Sequence, residues 1–574
     1  MYQYRSDISL YDSQYDDDGN RVSIPEAVIN SVIAVLLRFQ INCAEFGVPR
    51  QNIRVLATEA TRTAPNSEEF RQRIAQTTGL TIEMLSKREE GQIGAMGVAS
   101  SFSNMRGLVM DLGGGSTQIT WMVMDEGHIR TSEKGAFSFP YGAAALTRRL
   151  ADLEKGKGKD EAKKAKELLR KEMTTHFQQA YHDLQVPEAL VESAKREGGF
   201  PLYLSGGGFR GWGYLLLYQN QVHGDHYPIS IINGFTAHKD DFQDTETLKK
   251  VAETAHKIFR VSDRRRKQVP AVAFLVNVLA DAIPHGIKEA HFCQGGVREG
   301  VLFHRLPPSI RAQDPLEVAT SPYARPLAPR LTILLRDALP PNLPPELSSM
   351  DAAATPPSEG QPDERQVPDS LTSHVVCAMA NMFYFHANMS KESSSASALQ
   401  STSTGILAST HGISHIDRAL LALLLEARYE GELPPREMKF KEALRQLLAP
   451  KEAWWAEYLG RVGLVLSRAY PAGHAEVDED TTTPSDPIGI SKPRMKLSAS
   501  WADNLGKKGN KQGIRLTIWL EMKHRSRKDP TKIKEALERH IKRIEKAGKK
   551  KNWIGGREGW GMKVGVVVRV IDSD

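Results

Sequence analysis

A buried strand that ends in an aspartate and three glycines is the feature of this sequence best suited to chemistry. The apolar residues 108–110 lead into Asp111, and polar residues after the glycines begin a second strand. Glycine backbone can approach a phosphate closely and turn its N–H groups toward the anion, while Asp111 would hold a Mg²⁺ ion. The segment predicts a phosphate-binding turn, with an ordinary glycine hairpin as the alternative. Its candidate residues are Gly113, Gly114, Gly115, Ser116 and Thr117.

Two further short apolar strands are also followed by glycines. One leads into Gly206, Gly207 and Gly208, and the other into the segment 295–300. Three such turns suit two lobes that hold a phosphate chain between them. The spacing of residues 206–211 also fits the dinucleotide pattern G-x-G-x-x-G, but a dinucleotide fold carries that pattern at its first strand–helix turn. We therefore favour phosphate loops, and the lack of a Walker A pattern excludes a P-loop NTPase.

Two other segments complete a series of motifs: residues 55–62 read VLATEATR and residues 85–91 read LSKREEG. Followed by DLGGGSTQ, GGGFR and GGVREG, they occur in the order typical of the Ppx/GppA family of exopolyphosphatases and guanosine-pentaphosphate phosphohydrolases. The chain resembles this family over residues 20–305. The resemblance implies the α/β fold of the actin and Hsp70 superfamily, with two actin-like lobes related to ribonuclease H.

The same resemblance implies roles for single residues. Glu90 matches the family's general base, which activates water for attack on a terminal phosphoryl group, and Asp111 would assist it as the ligand of Mg²⁺. Arg62 matches an arginine that binds phosphate through its planar guanidinium. The turns at 113–117 and 206–208 match two phosphate loops, whereas we expect 295–300 to support the second lobe. The implied ligand is ATP or polyphosphate.

Three departures from the family pattern argue against efficient hydrolysis. The family's first phosphate loop, Asp-x-Gly-Ser-Asn-Ser, has no counterpart before residue 20. Gln118 stands where the family has a glutamate, and Lys87 replaces a glycine before the pair of glutamates. We therefore expect either that the gene model lacks a first exon or that the protein no longer hydrolyses a substrate.

A closer resemblance is to the fungal retrograde-regulation branch of the family. It rests on VLATEATR, on GVASSFSNMRG at 97–107, on GGGSTQ at 113–118 and on PYG at 140–142. The branch implies a cytoplasmic regulator that relays mitochondrial or nitrogen status to transcription in the nucleus through signalling proteins. Our first hypothesis is such a regulatory phosphate- or nucleotide-binding protein. The second is an active exopolyphosphatase or guanosine-pentaphosphate phosphatase, and the third is a chromatin or nucleic-acid adaptor.

The positions of helices, strands and prolines predict how these motifs are organised. Strands and helices alternate up to residue 305, which indicates an α/β domain, and 14 of the 31 prolines lie between 307 and 368. The region after them resembles a degraded HD-like helical domain, whose histidines we interpret as structural. The predicted division is lobe I at 1–135 without its first phosphate-loop strand, lobe II at 136–306, a Pro-rich linker at 307–369, a helical domain at 370–471, a polar linker at 472–500 and a basic α+β module at 501–574.

The net charge of +7 comes from one segment of the 574-residue chain. Residues 507–551 contain 17 Lys and Arg against 5 Asp and Glu, or +12, which leaves −5 elsewhere. Nucleic-acid binding would therefore involve only residues 505–574, where we favour a solvated face or a nuclear-import patch. We expect a cytoplasmic protein that also enters the nucleus if that patch is active, with no membrane partner, and a homodimer is left open.

Overall fold

The computed structural model describes residues 6–16, 19–220, 227–342, 365–429, 431–471, 473, 494–506, 508–523 and 530–573. The chain forms two compact units. The N-terminal unit comprises Met1–Asn220 and Ile232–Ala312, and the C-terminal unit comprises Gln221–Ile231 and Gln313–Asp574.

The N-terminal unit combines strands and helices as the sequence predicts. Its strands are β1 (Val55–Ala57), β2 (Ile82–Met84), β3 (Met105–Leu112), β4 (Thr117–Asp125), β5 (His128–Thr131), β6 (Phe137–Phe139), β7 (Phe200–Ser205), β8 (Phe235–His238) and β9 (Ile287–Phe292). Its helices are α1 (Glu26–Glu45), α2 (Glu59–Arg62), α3 (Ser67–Thr78), α4 (Lys87–Ala99), α5 (Ala143–Glu154), α6 (Lys159–Asp183), α7 (Glu188–Glu197), α8 (Gly206–Gln219), α9 (Lys239–Gln243), α10 (Thr245–Thr254), α11 (Asp263–Ala282), α12 (Val297–His304) and α13 (Pro308–Arg311).

A seven-stranded sheet in the order β5–β4–β3–β7–β9–β8, with β6 on β4, positions the glycine turns. The three strands β3, β7 and β9 are parallel neighbours, and Asp111 pairs in register with Ser205. Because the carboxyl ends of parallel strands meet at one edge of a sheet, the three glycine segments lie along the same edge. The residues of β3 from Leu108 to Met110 are almost wholly buried.

The structure corrects the predicted boundary between the lobes at residue 135. Strands β3, β4 and β5, within 105–131, pair with each other and with β7, so they belong to the large sheet of the second lobe. Among the described residues, the first lobe holds only the parallel pair β1–β2 and its helices. The prediction failed because β3 was assigned by its place in the chain and not by its strand partners.

The helix α1 is long and apolar enough to cross a membrane by length and composition alone. Polar residues such as Asn30, Arg38 and Asn42 interrupt its apolar run. In the N-terminal unit, α1 packs its Ile29 and Ile33 into a small core with Phe70 and Ile74 of α3, while Ile41 remains exposed.

The described elements of the C-terminal unit share a hydrophobic core. Its helices are α14 (Pro315–Thr320), α15 (Ala328–Asp337), α16 (Ser373–Met382), α17 (Ser394–Gln400), α18 (His415–Tyr429), α19 (Pro435–Gln446), α20 (Pro450–Ala469) and α21 (Pro530–Ala547). Its strands β10 (Arg494–Leu505), β11 (Lys511–Lys523) and β12 (Lys563–Ser573) form one sheet in chain order.

Two predictions for this region are corrected. The segment predicted as a linker at 307–369 instead supplies α13, α14 and α15, and Leu331 and Leu334 of α15 are fully buried in the core; its residues 343–364 lie outside the described part. The helical domain and the basic α+β module are not separate, because Trp454 of α20 packs against Trp560 and donates its indole N–H to Ala547 O. Of the predicted polar linker, residues 472 and 474–493 lie outside the described part.

Candidate functional site

Glu90 lies in the first turn of α4, where a capping box fixes the start of the helix. The Ser86 hydroxyl accepts the Glu89 N–H, and the Glu89 carboxylate accepts the Ser86 N–H. Each bond satisfies a backbone N–H that a helix start leaves unpaired. The local sequence therefore holds Glu90, the next residue, in one orientation, with its side chain mostly buried.

Arg62 lies between two carboxylates. Its Nη2 donates to Glu59 Oε2 at 2.6 Å and to Glu90 Oε2 at 3.0 Å, and its Nη1 donates to the carbonyl of Leu85. The predicted phosphate ligand and the predicted general base are thus brought together, but as an ion pair. Binding a phosphate through Arg62 would require the guanidinium to exchange one of these partners. Glu59 was not predicted as a site residue.

Two carboxyl groups of this site, those of Glu90 and Asp111, have raised pKa values. Burial raises the pKa of Glu90; Arg62 opposes this change, and the nearby Asp111 and Glu59 carboxylates add to it. Burial also raises the pKa of Asp111, against the attraction of Arg210. A buried carboxylate binds its proton more tightly because the charged form loses solvation.

The glycine turn after β3 is attached to the start of α5 by its carbonyl groups. The N–H groups of Ala143 and Ala144 donate to the carbonyls of Gly113 and Gly114, both at 2.9 Å. A side chain at Gly142 would collide with the turn, since a Cβ there would lie 2.4 Å from Gly114 O. Within the described residues, no backbone hydrogen bond uses the N–H of Gly114 or Gly115, so both remain available to an anion.

A segment near the start of the described chain covers this turn. The Tyr11 ring is so close to Gly115 that a Cβ on Gly115 would lie 2.9 Å from it. Arg148 of α5 lies over the Tyr15 ring, with 3.5 Å between guanidinium carbon and ring centre. Asp12 accepts a hydrogen bond at 3.1 Å from Arg264 of α11. The predictions included none of these residues.

Gln118 stands beside Asp111 in the register of β3 and β4. Its side chain is buried, and its Nε2 donates to Ser116 Oγ at 2.9 Å. The Thr117 hydroxyl donates to the backbone carbonyl of Asp111 at 2.9 Å. Ser116 and Thr117 thus take part in holding the turn, and a neutral amide lies where a glutamate would add a second carboxylate beside Asp111.

The second glycine segment is the first turn of α8 and packs closely on β3. A Cβ on Gly206 would lie 2.4 Å from Leu112 O, and one on Gly208 would lie 2.4 Å from the Leu112 side chain. A Cβ on Gly207 would meet the guanidinium of Arg265. Two of these three predicted phosphate-binding glycines therefore have a clear packing role.

The third glycine segment, predicted to support the second lobe, packs against α4. Gly97 of α4 and Gly296 approach so closely that a Cβ on Gly97 would lie 2.0 Å from Gly296 O. Gly300 of α12 meets the backbone of Ile93 in the same way. Because α4 carries Glu90, this close crossing of α4 and α12 holds the backbone of Glu90 in place within the unit.

One histidine of the C-terminal unit, His415, has structural partners on both sides of its ring. His415 is buried between the Tyr227 hydroxyl and the carbonyl of Ile231, both at 2.8 Å. Burial lowers the pKa of His415 to about 3. The described residues contain no group of three or more His, Cys, Asp or Glu that could hold a metal ion.

Comparison with known proteins assigns both units. The model of the Ppx/GppA phosphatase family matches residues 1–309, which is more than half of the chain. The chain belongs to the Ppx/GppA phosphatase family. The model of the RTG2 C-terminal domain matches residues 314–571, so the two matches divide the chain where the two compact units meet in the sequence. The family and the mixed α/β fold predicted from the motifs are thereby confirmed.

The relatives of this Ppx/GppA member match very different shares of the chain. Retrograde regulation protein 2 of Saccharomyces cerevisiae is 36% identical over 490 residues, which is 83% of this chain and 76% of the yeast protein. Guanosine-5'-triphosphate,3'-diphosphate pyrophosphatase of Vibrio campbellii is 40% identical over 73 residues, 12% of this chain and 15% of its own length. The Aquifex aeolicus PPX-GPPA enzyme structure is 23% identical, with a TM-score of 0.37 over 49% of this chain and 84% of its own.

Proposed function

We propose that this chain is a regulatory phosphate- or nucleotide-binding member of the Ppx/GppA family that acts in signalling from mitochondria to the nucleus. The yeast relative named Retrograde regulation protein 2, similar over most of the chain, supports the regulatory role. Signalling proteins are the proposed partners, and the cytoplasm, with access to the nucleus, is the proposed location.

One observation carries the proposal: the site retains a phosphate loop while the groups needed for hydrolysis are engaged otherwise. The N–H groups of Gly114 and Gly115 are available to an anion. The Glu90 carboxylate, however, is paired with Arg62, so its Oε2 accepts a hydrogen bond from the guanidinium and not from an attacking water. Such a site would bind a phosphate chain and turn it over slowly or not at all.

Asp111 fits a Mg²⁺ ion that arrives with its phosphate ligand. Mg²⁺ is commonly bound through one or two carboxylates together with phosphate oxygens and water, and Asp111 lies beside the glycine turn. With Gln118 in place of a glutamate, the protein supplies fewer carboxylates, so most ligands of the ion would come from the phosphate chain. When bound, the ion would neutralise phosphate charge.

The alternative function, an exopolyphosphatase or guanosine-pentaphosphate phosphatase, is favoured by Glu90 itself. Burial raises its pKa toward the range useful for a general base. In that function Glu90 would accept a proton from the attacking water once a phosphate had drawn Arg62 away. The two functions make opposite predictions about turnover.

The test measures binding and phosphate release on the same full-length protein. ATP and polyphosphate are titrated with Mg²⁺ by calorimetry, and released phosphate is measured for the wild type, Glu90→Gln and the control Glu69→Gln, an exposed residue of α3. We expect binding by all three proteins and release no faster than in buffer. Rapid release that only Glu90→Gln loses would establish the hydrolase instead, and no binding of either ligand would reject the phosphate loop.

The signalling role is tested in the yeast relative's own setting. The chain is expressed in Saccharomyces cerevisiae in place of Retrograde regulation protein 2, and the transcriptional response to loss of respiration is measured. We expect the chain to restore the response. Failure of a well-expressed chain to restore it would count against the regulatory role, while leaving the binding result unaffected.

A further inference from the structure

A cavity of about 450 Å³ lies within the C-terminal unit, between the strands β10 and β11 and the turns before β12. Four basic side chains line it, and so do the indoles of Trp501 and Trp553. The basic residues are Arg365, Lys511, Lys550 and Lys563. Its volume is within the range of sites for small molecules.

Close backbone packing fixes the side of the cavity that carries Lys563. Gly513 pairs with Lys563 in the parallel register of β11 and β12, and a Cβ on Gly513 would lie 2.0 Å from Lys563 O. From the other side, a Cβ on Gly548 would lie 2.3 Å from the N atom of Val564. The backbone from which the Lys563 side chain extends is therefore held between two glycines.

The indole of Trp553 is held in a similar way. A Cβ on Gly561 would lie 2.4 Å from the Trp553 ring, so only a glycine leaves room for the ring. Lys550 lies 5.3 Å from the centre of that ring, a distance at which an ammonium is attracted to an indole. The Trp553 N–H is buried and has no hydrogen-bond partner among the described residues.

Positive charge in the cavity is only partly balanced. Arg365 forms an ion pair with Asp503. Among the described residues, no carboxylate lies within ion-pair distance of Lys511, Lys550 or Lys563. Burial, and then the charges of Lys511, Lys549 and Lys550, lower the pKa of Lys563. Like charges held this close repel each other, and a shared anion would remove that cost.

We propose that this cavity binds a small polyanion that bears phosphate groups. Three lysine ammonium groups supply charge-assisted hydrogen bonds to phosphate oxygens, and the indole walls exclude water from one side of the ligand. A concave site of this size takes a small molecule. A nucleic-acid duplex would instead contact exposed lysines outside the cavity, such as Lys542 of α21. The site is separate from the glycine turn and does not depend on the function proposed for it.

The test follows single lysines in the full-length protein. The protein is acylated in the absence of ligand and in the presence of inorganic tripolyphosphate, ATP or, as the alternative ligand, a short DNA duplex. Mass spectrometry measures the acylation of each lysine. We expect tripolyphosphate to slow acylation of Lys511, Lys550 and Lys563 and to leave the exposed Lys391, Lys439 and Lys542 unchanged. This readout separates the cavity from the glycine turn, which contains no lysine.

Matched triple variants give the affinity. Calorimetry with tripolyphosphate measures it: in K511Q/K550Q/K563Q the dissociation constant of one binding event seen in the wild type should rise at least about tenfold, or about 1.4 kcal/mol, because three charged hydrogen-bond donors are lost. The control K391Q/K439Q/K542Q, with the same change of charge, should bind as the wild type does, and unchanged thermal unfolding shows that both variants fold. Equal affinity in the two variants, or protection of the cavity lysines by DNA but not by tripolyphosphate, would overturn the proposal.

Discussion

Replacing Leu334 by alanine tests whether α15 belongs to the core of the C-terminal unit. Leu334 is fully buried among the leucines of that core, while its neighbour Ile333 is about half exposed (48%). Leu334→Ala removes three carbon atoms, worth roughly 2.4 kcal/mol of transfer free energy at about 0.8 kcal/mol each. The cavity left behind raises the expected loss of unfolding free energy to about 3–4 kcal/mol. The control Ile333→Ala should cost less than about 1 kcal/mol.

Urea unfolding followed by tryptophan emission measures the loss. Six of the eight tryptophans lie in the C-terminal unit, including Trp454 and Trp455 in its core, so the signal reports mainly on that unit. We expect a lower urea midpoint for Leu334→Ala with an unchanged slope, which indicates lost stability and not a changed unfolded state. If Leu334→Ala unfolds at the same midpoint as Ile333→Ala, then α15 does not contribute to the core and the linker prediction would be restored.

Three further results are expected from changes at single positions. Gly97→Ala should destabilise the N-terminal unit by at least about 2 kcal/mol, because its Cβ would meet Gly296 O at 2.0 Å. The control Gly94→Ala has open space around it and should stabilise the unit by about 1 kcal/mol through helix propensity. Thermal unfolding compares the two variants, and equal midpoints would contradict the close crossing of α4 and α12. The pKa of His415 is lowered to about 3 by burial, so the unfolded chain takes up the proton first and stability falls as the pH drops below about 6.5. At pH 5 the wild type should have lost about 2 kcal/mol relative to pH 7 through this residue, and a His415→Gln variant that loses as much over the same range would argue against the buried neutral imidazole. Gln118→Glu places a second carboxylate beside Asp111, so Mg²⁺ should tighten ATP binding several-fold more in this variant than in the wild type or in Gln118→Ala. Calorimetry with and without Mg²⁺ measures this effect. An equal effect of Mg²⁺ on all three proteins would argue against Asp111 as the metal ligand.

The sequence predicted the glycine turns well because their positions follow from strand order. Each turn comes directly after an apolar strand, and parallel strands place such turns at one edge of a sheet. The pairing of Arg62 with Glu59 was missed, although the spacing of three residues on a short helix is a readable signal. The position of Tyr11 over Gly115 has no such signal, because it depends on how a segment without regular periodicity crosses the unit.

The prolines of 307–368 were interpreted as the sign of a linker, but several of them lie in the first turns of helices. Pro308 and Pro315 occupy the first turns of α13 and α14, where proline lacks only a hydrogen bond that the helix start does not use. The leucines at 327, 331, 334 and 335 follow helical spacing, so α15 was predictable from the pattern. That its leucines share a core with β10–β12 was not, since contacts between distant segments leave no local pattern.

The shared core of the C-terminal unit has a consequence for how the protein is made. Strand β12 completes the sheet on the far side of β11, and α21, which precedes it, packs on Trp454. During synthesis, the apolar faces of α15, α18 and α20 therefore stay without their last partners until β12 has left the ribosome. A nonsense change within β12 would leave every predicted phosphate-binding residue intact, yet it would release a chain whose largest core cannot close.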